Sequence, residues 1–152
     1  MDDILQQLLQ EEQELQFTKF NEATAWQIGC QLVEQSVTAE LSVTIDITRG
    51  DHQLFHIGLR RTFPDNDEWI KRKVRLVYRF GHSSFKMGQL LKSKGKRIEE
   101  ACLISESDYA PHGGCFPIIV KDTGMVGTIT VSGLPQEEDH KLVVRAIRDY
   151  LV

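Results

Sequence analysis

Three arginines, Arg72, Arg75 and Arg79, recur at helical spacing just ahead of the run Gly81-His82-Ser83-Ser84. On an α-helix they fall within about 60° of one another. A guanidinium presents a planar fork suited to a carboxylate or phosphate. Gly81 should break or bend the helix, and Ser83 or Ser84 can cap the helix that follows. Free N–H groups at such a helix start receive anions. Arg75, Arg79, His82 and Ser83 therefore form the first candidate site, for a small anionic ligand. A row of arginines also describes an ordinary solvated helix face, with Glu137, Glu138 or Asp139 offsetting the charge. The flexible loop at His112-Gly113-Gly114 is the second candidate, and a pocket joining it to Arg79 and His82 would favour ligand binding.

Other chemistry-bearing residues are weaker. His112, Cys115, Asp139 and His140 are metal-ligand types, but no HxxxH, HxxE or CxxC spacing supports them, so no dedicated metal site is expected. No Ser-His-Asp or Cys-His order is recognisable, and Gly113-Gly114 lacks the downstream pattern of a phosphate loop. Whether the protein is an enzyme stays open. Cys30 reads as a packed thiol.

The elements that must position these residues follow from periodicity. Residues 2–16 read as a helix with Ile4, Leu5, Leu8, Leu9 and Leu15 on one face. Asn21 is placed to cap a second helix carrying Ala25, Trp26, Gly29, Leu32, Val33 and Val37; Gly29 there implies close packing. Residues 42–48 and 53–60 alternate as strands. A three-residue loop, Gly50-Asp51-His52, pairs Ile47 with Phe55 and Ile45 with Ile57, and sets Asp46 opposite His56. That pair reads as a polar contact at a subunit interface or as a general-base pair. Asp65 with Glu68 resembles a capping box for the arginine helix, whose apolar stripe is Ile70, Val74, Val77 and Tyr78. Residues 101–105 read as a short strand. Phe116–Val120 and Met125–Val131 form a closing hairpin with an even loop centred on Thr123. In it Gly127 lies opposite Ile118, leaving room for a helix or ligand to approach. The last helix starts near Pro135 or Gln136 and buries Leu142, Val143, Ala146, Ile147, Tyr150 and Leu151.

The hairpin region also carries a resemblance. Gly113-Gly114-x-Phe116-Pro117, the glycine turn, Val126-Gly127-Thr128-x-Thr130-Val131-Ser132-Gly133-Leu134-Pro135 and Glu137-Glu138-Asp139-His140 resemble the haem-degrading-domain (GlcG-like) superfamily. The similarity is to its small stand-alone branch, an uncharacterised protein family, and runs from about residue 20 to the end. It implies a compact α+β domain with a five-stranded antiparallel sheet and helices on both faces. It also implies homodimers or larger rings. Relatives are reported to bind haem or to accompany corrinoid enzymes. Haem needs an axial donor, and His82, His112, His140 and Tyr109 can each supply one.

Composition sets the frame. The 152 residues suit a single domain: an N-terminal helix within 1–18 and a superfamily-like domain over about 20–152. With 41% hydrophobic and 26% charged residues the chain is ordinary for a globule. Its net charge of −4 argues against a general nucleic-acid binder. No apolar run has the length of a membrane span, and Asp2 and Asp3 stand where a signal peptide would be basic. Three widely spaced cysteines suit reduced thiols in a cytoplasm. The sequence thus reads as a cytoplasmic, homo-oligomeric binding protein for an anionic metabolite or a tetrapyrrole. The alternative is an interaction or scaffold protein with no ligand of its own.

Overall fold

The computed structural model describes residues 2–152. In chain order its elements are α1 (Asp2–Glu14), α2 (Glu22–Thr38), β1 (Thr44–Arg49), β2 (His52–Gly58) and α3 (Pro64–Phe80). Then come α4 (Ser84–Lys94), α5 (Ile98–Cys102), β3 (Cys115–Val120), β4 (Gly124–Ser132) and α6 (Gln136–Leu151). The class is α+β, in one domain, and the strands form one antiparallel sheet in the order β2-β1-β4-β3.

The sheet has four strands where the resemblance implied five. The segment 101–105, read as the fifth, instead ends α5; Leu103 closes it at φ 58°, with its side chain 86% exposed. A short apolar run does not separate strand from helix by periodicity. Here Glu100 accepts the Arg97 backbone N–H at 3.2 Å and favours the helical turn.

Alternation along the strands gives the sheet two unlike faces. Ile45, Ile47, Phe116, Ile118, Ile129 and Val131 are buried together with Ile28 and Leu32 of α2 and Val143 and Ile147 of α6. Asp46, Thr48, Thr128 and Thr130 lie on the other face. As the resemblance implies, this face is covered too: α3 lies across it, with the Tyr78 hydroxyl 3.1 Å from Thr48 Oγ1 and Lys73 Nζ 3.2 Å from the Val131 carbonyl. Helices therefore cover both faces.

The expected pairs Ile47–Phe55, Ile45–Ile57, Asp46–His56 and Ile118–Gly127 are all present. The connections differ. Arg49 pairs His52 across a tip of two residues, and a bulge at Leu54 restores the register that a three-residue loop was expected to supply. The β3–β4 loop is odd, Lys121-Asp122-Thr123, with a compensating bulge at Val126. A side chain at Gly127 would strike the Thr48 carbonyl, so the close approach there is by β1. A Cβ at Gly29 would lie 2.5 Å from the Phe55 ring, which is the close packing expected of it. Asn21 caps α2, accepting from Thr24 N at 3.1 Å. At α3 the expected Asp65–Glu68 box is displaced: Phe63 is the N-cap, and its N–H is held by Asn66 Oδ1 at 2.9 Å.

Candidate functional site

The second candidate loop lies beside a cavity of about 330 Å³ between α3 and the start of α6. Trp69, Lys73, His112, Gly133, Gln136 and Asp139 line it. Lys73 and Asp139 are the two charges in its wall that are shut from water, at 3% and 2% exposure. Lys73 Nζ donates to Asp139 Oδ2 at 3.3 Å and to the Val131 carbonyl at 3.2 Å. Asp139 also accepts from Leu134 N at 3.0 Å and Gly133 N at 3.4 Å. Burial pushes the Asp139 carboxyl up to about 6, against the pull of the Lys73 ammonium. Burial likewise lowers the Lys73 ammonium, and Asp139 opposes that shift. Each group is thus moved toward neutrality by lost solvation, and their attraction only partly restores it.

The glycines explain how this pair is housed. Gly114 has φ 137°, and a side chain there would strike the Val131 carbonyl and come within 2.7 Å of Lys73 Nζ. Gly113 abuts the Gln136 backbone, and its N–H is held by Gln136 Oε1 at 2.9 Å. His112 stands at the rim, packed edge-on against Trp69 with ring centroids 5.4 Å apart. Its burial lowers its pKa, and Glu106, 3.8 Å away, opposes the shift. Cys115 follows this loop into the sheet, where burial pushes its thiol up to about 12; it is no nucleophile.

The first candidate cluster divides. Arg72 Nε donates to the Glu106 carbonyl at 3.2 Å, and Arg75 Nη1 to the Asp108 carbonyl at 3.0 Å. Arg79 sits over the Tyr109 ring, 5.6 Å from its centroid. The row thus clamps the 106–109 segment onto α3, and carbonyl oxygens take the place of the acidic neighbours expected from sequence. His82 and Ser83 do meet at a helix start, and a carboxylate is there: that of Glu12 from α1. Glu12 accepts from His82 Nδ1 at 2.7 Å and from Ser83 N at 2.9 Å, with Lys86 Nζ at 3.6 Å. Arg79 is not in this group. His140, another potential donor, is buried with Nε2 held by Glu11 at 2.8 Å. On the far side of α3, His56 bridges Asp46 at 2.9 Å and Asp67 at 3.0 Å. Among the described residues no group of three or more His, Cys, Asp or Glu side chains is arranged to hold a metal ion.

This fold and this loop have relatives. The sequence profile described as haem degrading protein HbpS-like matches residues 20–148. The chain belongs to the HbpS-like family. A UPF0303 protein of Psychromonas ingrahamii is 46% identical over 147 residues, spanning 97% of this chain and 92% of that one. Another, from Streptomyces coelicolor, is 45% identical over 95% of this chain and 92% of its own. Among solved structures, the Ybr137w protein superposes with a TM-score of 0.89 at 33% identity, over 96% of this chain and 86% of that one. A PduOC–haem complex shares the fold at a TM-score of 0.68 and 15% identity, over 87% and 94% of the two chains.

Within this HbpS-like chain, sequence reasoning passed over the two buried charges. The sequence names Asp139 as a metal-ligand type and a counter-charge to the arginines, and nothing in that reading singles out Lys73. Spacing held a signal for both. Lys73 follows Ile70 by three and precedes Val77 by four, so it lies on the apolar stripe. Asp139, Val143 and Ile147 recur every four residues, so Asp139 faces the core. Among the described residues no helix is long and apolar enough to cross a membrane.

Proposed function

We propose that this HbpS-like protein binds a small anionic ligand, a carboxylate metabolite or a tetrapyrrole, at the cavity beside His112, Gly113 and Gly114. The observation that carries the reading is the buried ammonium of Lys73 in the cavity wall. A cation that loses its hydration and keeps one carboxylate partner is costly to maintain for stability alone. Strongly perturbed groups in a cleft are characteristic of functional sites.

For a tetrapyrrole, His112 is the donor that fits. It stands between the Lys73 cavity and a second one of about 310 Å³ that carries Lys92, Lys96 and Arg97. Those cations suit the propionates of a haem. His140 does not fit, because Glu11 occupies its Nε2 and the ring is buried. Tyr109 lies beneath Arg79. When bound, haem would supply an iron centre, with His112 as its protein ligand. The family description and the haem-bound fold neighbour support this arm. Three free cysteines suit a reducing, cytoplasmic setting.

Titrating the purified protein with haemin should give a saturable Soret shift that His112→Ala abolishes. A thermal melt with acetate, pyruvate or benzoate should show stabilisation of the wild type. A spectrum that never saturates, together with melts that no anion moves, would remove the reading.

A further inference from the structure

We infer that Lys73 and Asp139 form a proton-coupled clamp for a small monocarboxylate: the ligand takes the free N–H of Lys73 while Asp139 takes up a proton from solvent. The inference rests on the ligand-binding reading above and adds its ligand class and pH response.

The argument is one of charge count in a closed space. An ammonium carries three N–H donors, and Lys73 places two, on Asp139 and on the Val131 carbonyl. Its third hydrogen has no acceptor among the described residues, and Lys73 lines the cavity. One buried positive charge balances one buried negative charge. A second anion entering here would leave a net negative charge out of water. Under such a load a group changes protonation rather than stay ionised.

Asp139 is the group that can do so. Burial already raises its carboxyl to about 6, so the proton is readily taken near neutral pH. Its neighbours do not serve. Cys115 on β3 already holds its proton, with a pKa of about 12. Arg72 on α3 is turned onto the Glu106 carbonyl. Asp65 at the start of α3, and Glu137 and Glu138 on α6, are exposed to solvent. His140 on α6 faces Glu11. His112 is the rival, a half-buried imidazole at the rim, and the test must separate it. Once protonated, Asp139 becomes an O–H donor, so the carboxylate meets two donors, ammonium and acid. A dianion such as phosphate would exceed the single charge that one proton offsets. The site therefore suits a monocarboxylate.

Calorimetric titration with acetate, pyruvate and benzoate, in two buffers of different ionisation enthalpy, measures the protons exchanged. At pH 7 the wild type should take up between about half a proton and one per ligand. Affinity should rise about three- to eightfold from pH 7.5 to 6.5. Asp139→Asn should bind with no uptake and no pH dependence, and His112→Asn should keep both. Binding without uptake in the wild type overturns the inference and leaves the ligand-binding reading standing. So does uptake that persists in Asp139→Asn and vanishes in His112→Asn. If none of the three carboxylates binds, this clamp is wrong, and the haemin titration alone decides the broader reading. If Asp139→Asn does not fold, the His112→Asn titration decides: uptake kept there supports Asp139, and uptake lost there overturns the inference.

Discussion

Lys73 and Asp139 set the electrostatics of this protein at the scale of single residues. Removing one member of a buried pair leaves an uncompensated charge, which typically costs about 3–5 kcal/mol. Removing both for apolar residues is often neutral, so the pair is weak as a stabiliser. Its pH signature is more specific. The folded pKa of Asp139, about 6, lies above its ordinary value of 3.8. Between these values the folded state holds more protons than the unfolded one, so this group's contribution to stability falls as pH rises through that window. Glu14, Glu68 and Glu99 are shifted downward and act in the opposite sense, but they are common to wild type and variant. The difference in Tm, Asp139→Asn minus wild type, should therefore climb from pH 4.5 to 7.5. The change should be on the order of 2 kcal/mol, several degrees for a chain of this size. A difference that is flat or falls with pH would show that Asp139 titrates normally. Residues of this kind are hard to read from sequence because their types are those of surface residues. Only their phase on the helix, Lys73 between Ile70 and Val77, marks them as buried.

Elements whose period matched their burial were legible in advance. The strands around Ile45 and Phe55 and the Phe116–Ile129 hairpin were readable because alternation fixes the buried face. The bulges at Leu54 and Val126 were not, since a bulge leaves the apolar alternation on either side intact. Residues 101–105 misled because five residues carry no distinguishable period. In α2, Trp26 was assigned to the buried face but is 64% exposed, while Ile28 is fully buried. The position of α1 was also beyond the sequence, because it depends on ion pairs made far along the chain. Glu11 reaches His140, Glu12 reaches His82 and Ser83, and Glu14 reaches Arg148 at 3.2 Å. Of these, Glu12 is the buried one, and it satisfies the first turn of α4. Glu12→Ala should destabilise the fold by about 2–3 kcal/mol, because it strips a charged acceptor from the buried Ser83 N–H and from the half-exposed His82 ring. Hydrogen exchange should speed up at the amides of Ser83 to Met87 more than in β4. A variant that melts as the wild type does, with unchanged exchange in α4, would show that α1 docks through Leu8 and its apolar neighbours instead.

At the scale of the whole molecule the two edges of the sheet are treated differently. The outer edge of β3 is covered by Phe17, whose N–H donates to the Ile119 carbonyl at 2.8 Å while its own carbonyl accepts from Lys121 N at 2.8 Å. Among the described residues no strand pairs with the outer edge of β2. An uncovered edge is a template for pairing with another chain unless it is short, bulged or charged. Beside it, α2 exposes Trp26, packed at 6.0 Å on Phe55 of β2, and farther along the helix Val37 at 59%. The sequence offers the Asp46–His56 pair as a contact at a subunit interface, and α3 covers that face instead. The edge of β2 with Trp26 replaces it as the place where two copies would meet, through an aromatic anchor of the kind that dominates interfaces. Light scattering at micromolar concentration should then give a mass that is a multiple of 17.4 kDa. Trp26→Arg should shift the population toward the 17.4 kDa monomer with little loss of fold stability, since that side chain lies 64% exposed in the single chain. A wild type that scatters as one 17.4 kDa species removes assembly altogether. A Trp26→Arg variant that assembles unchanged places the interface on another face.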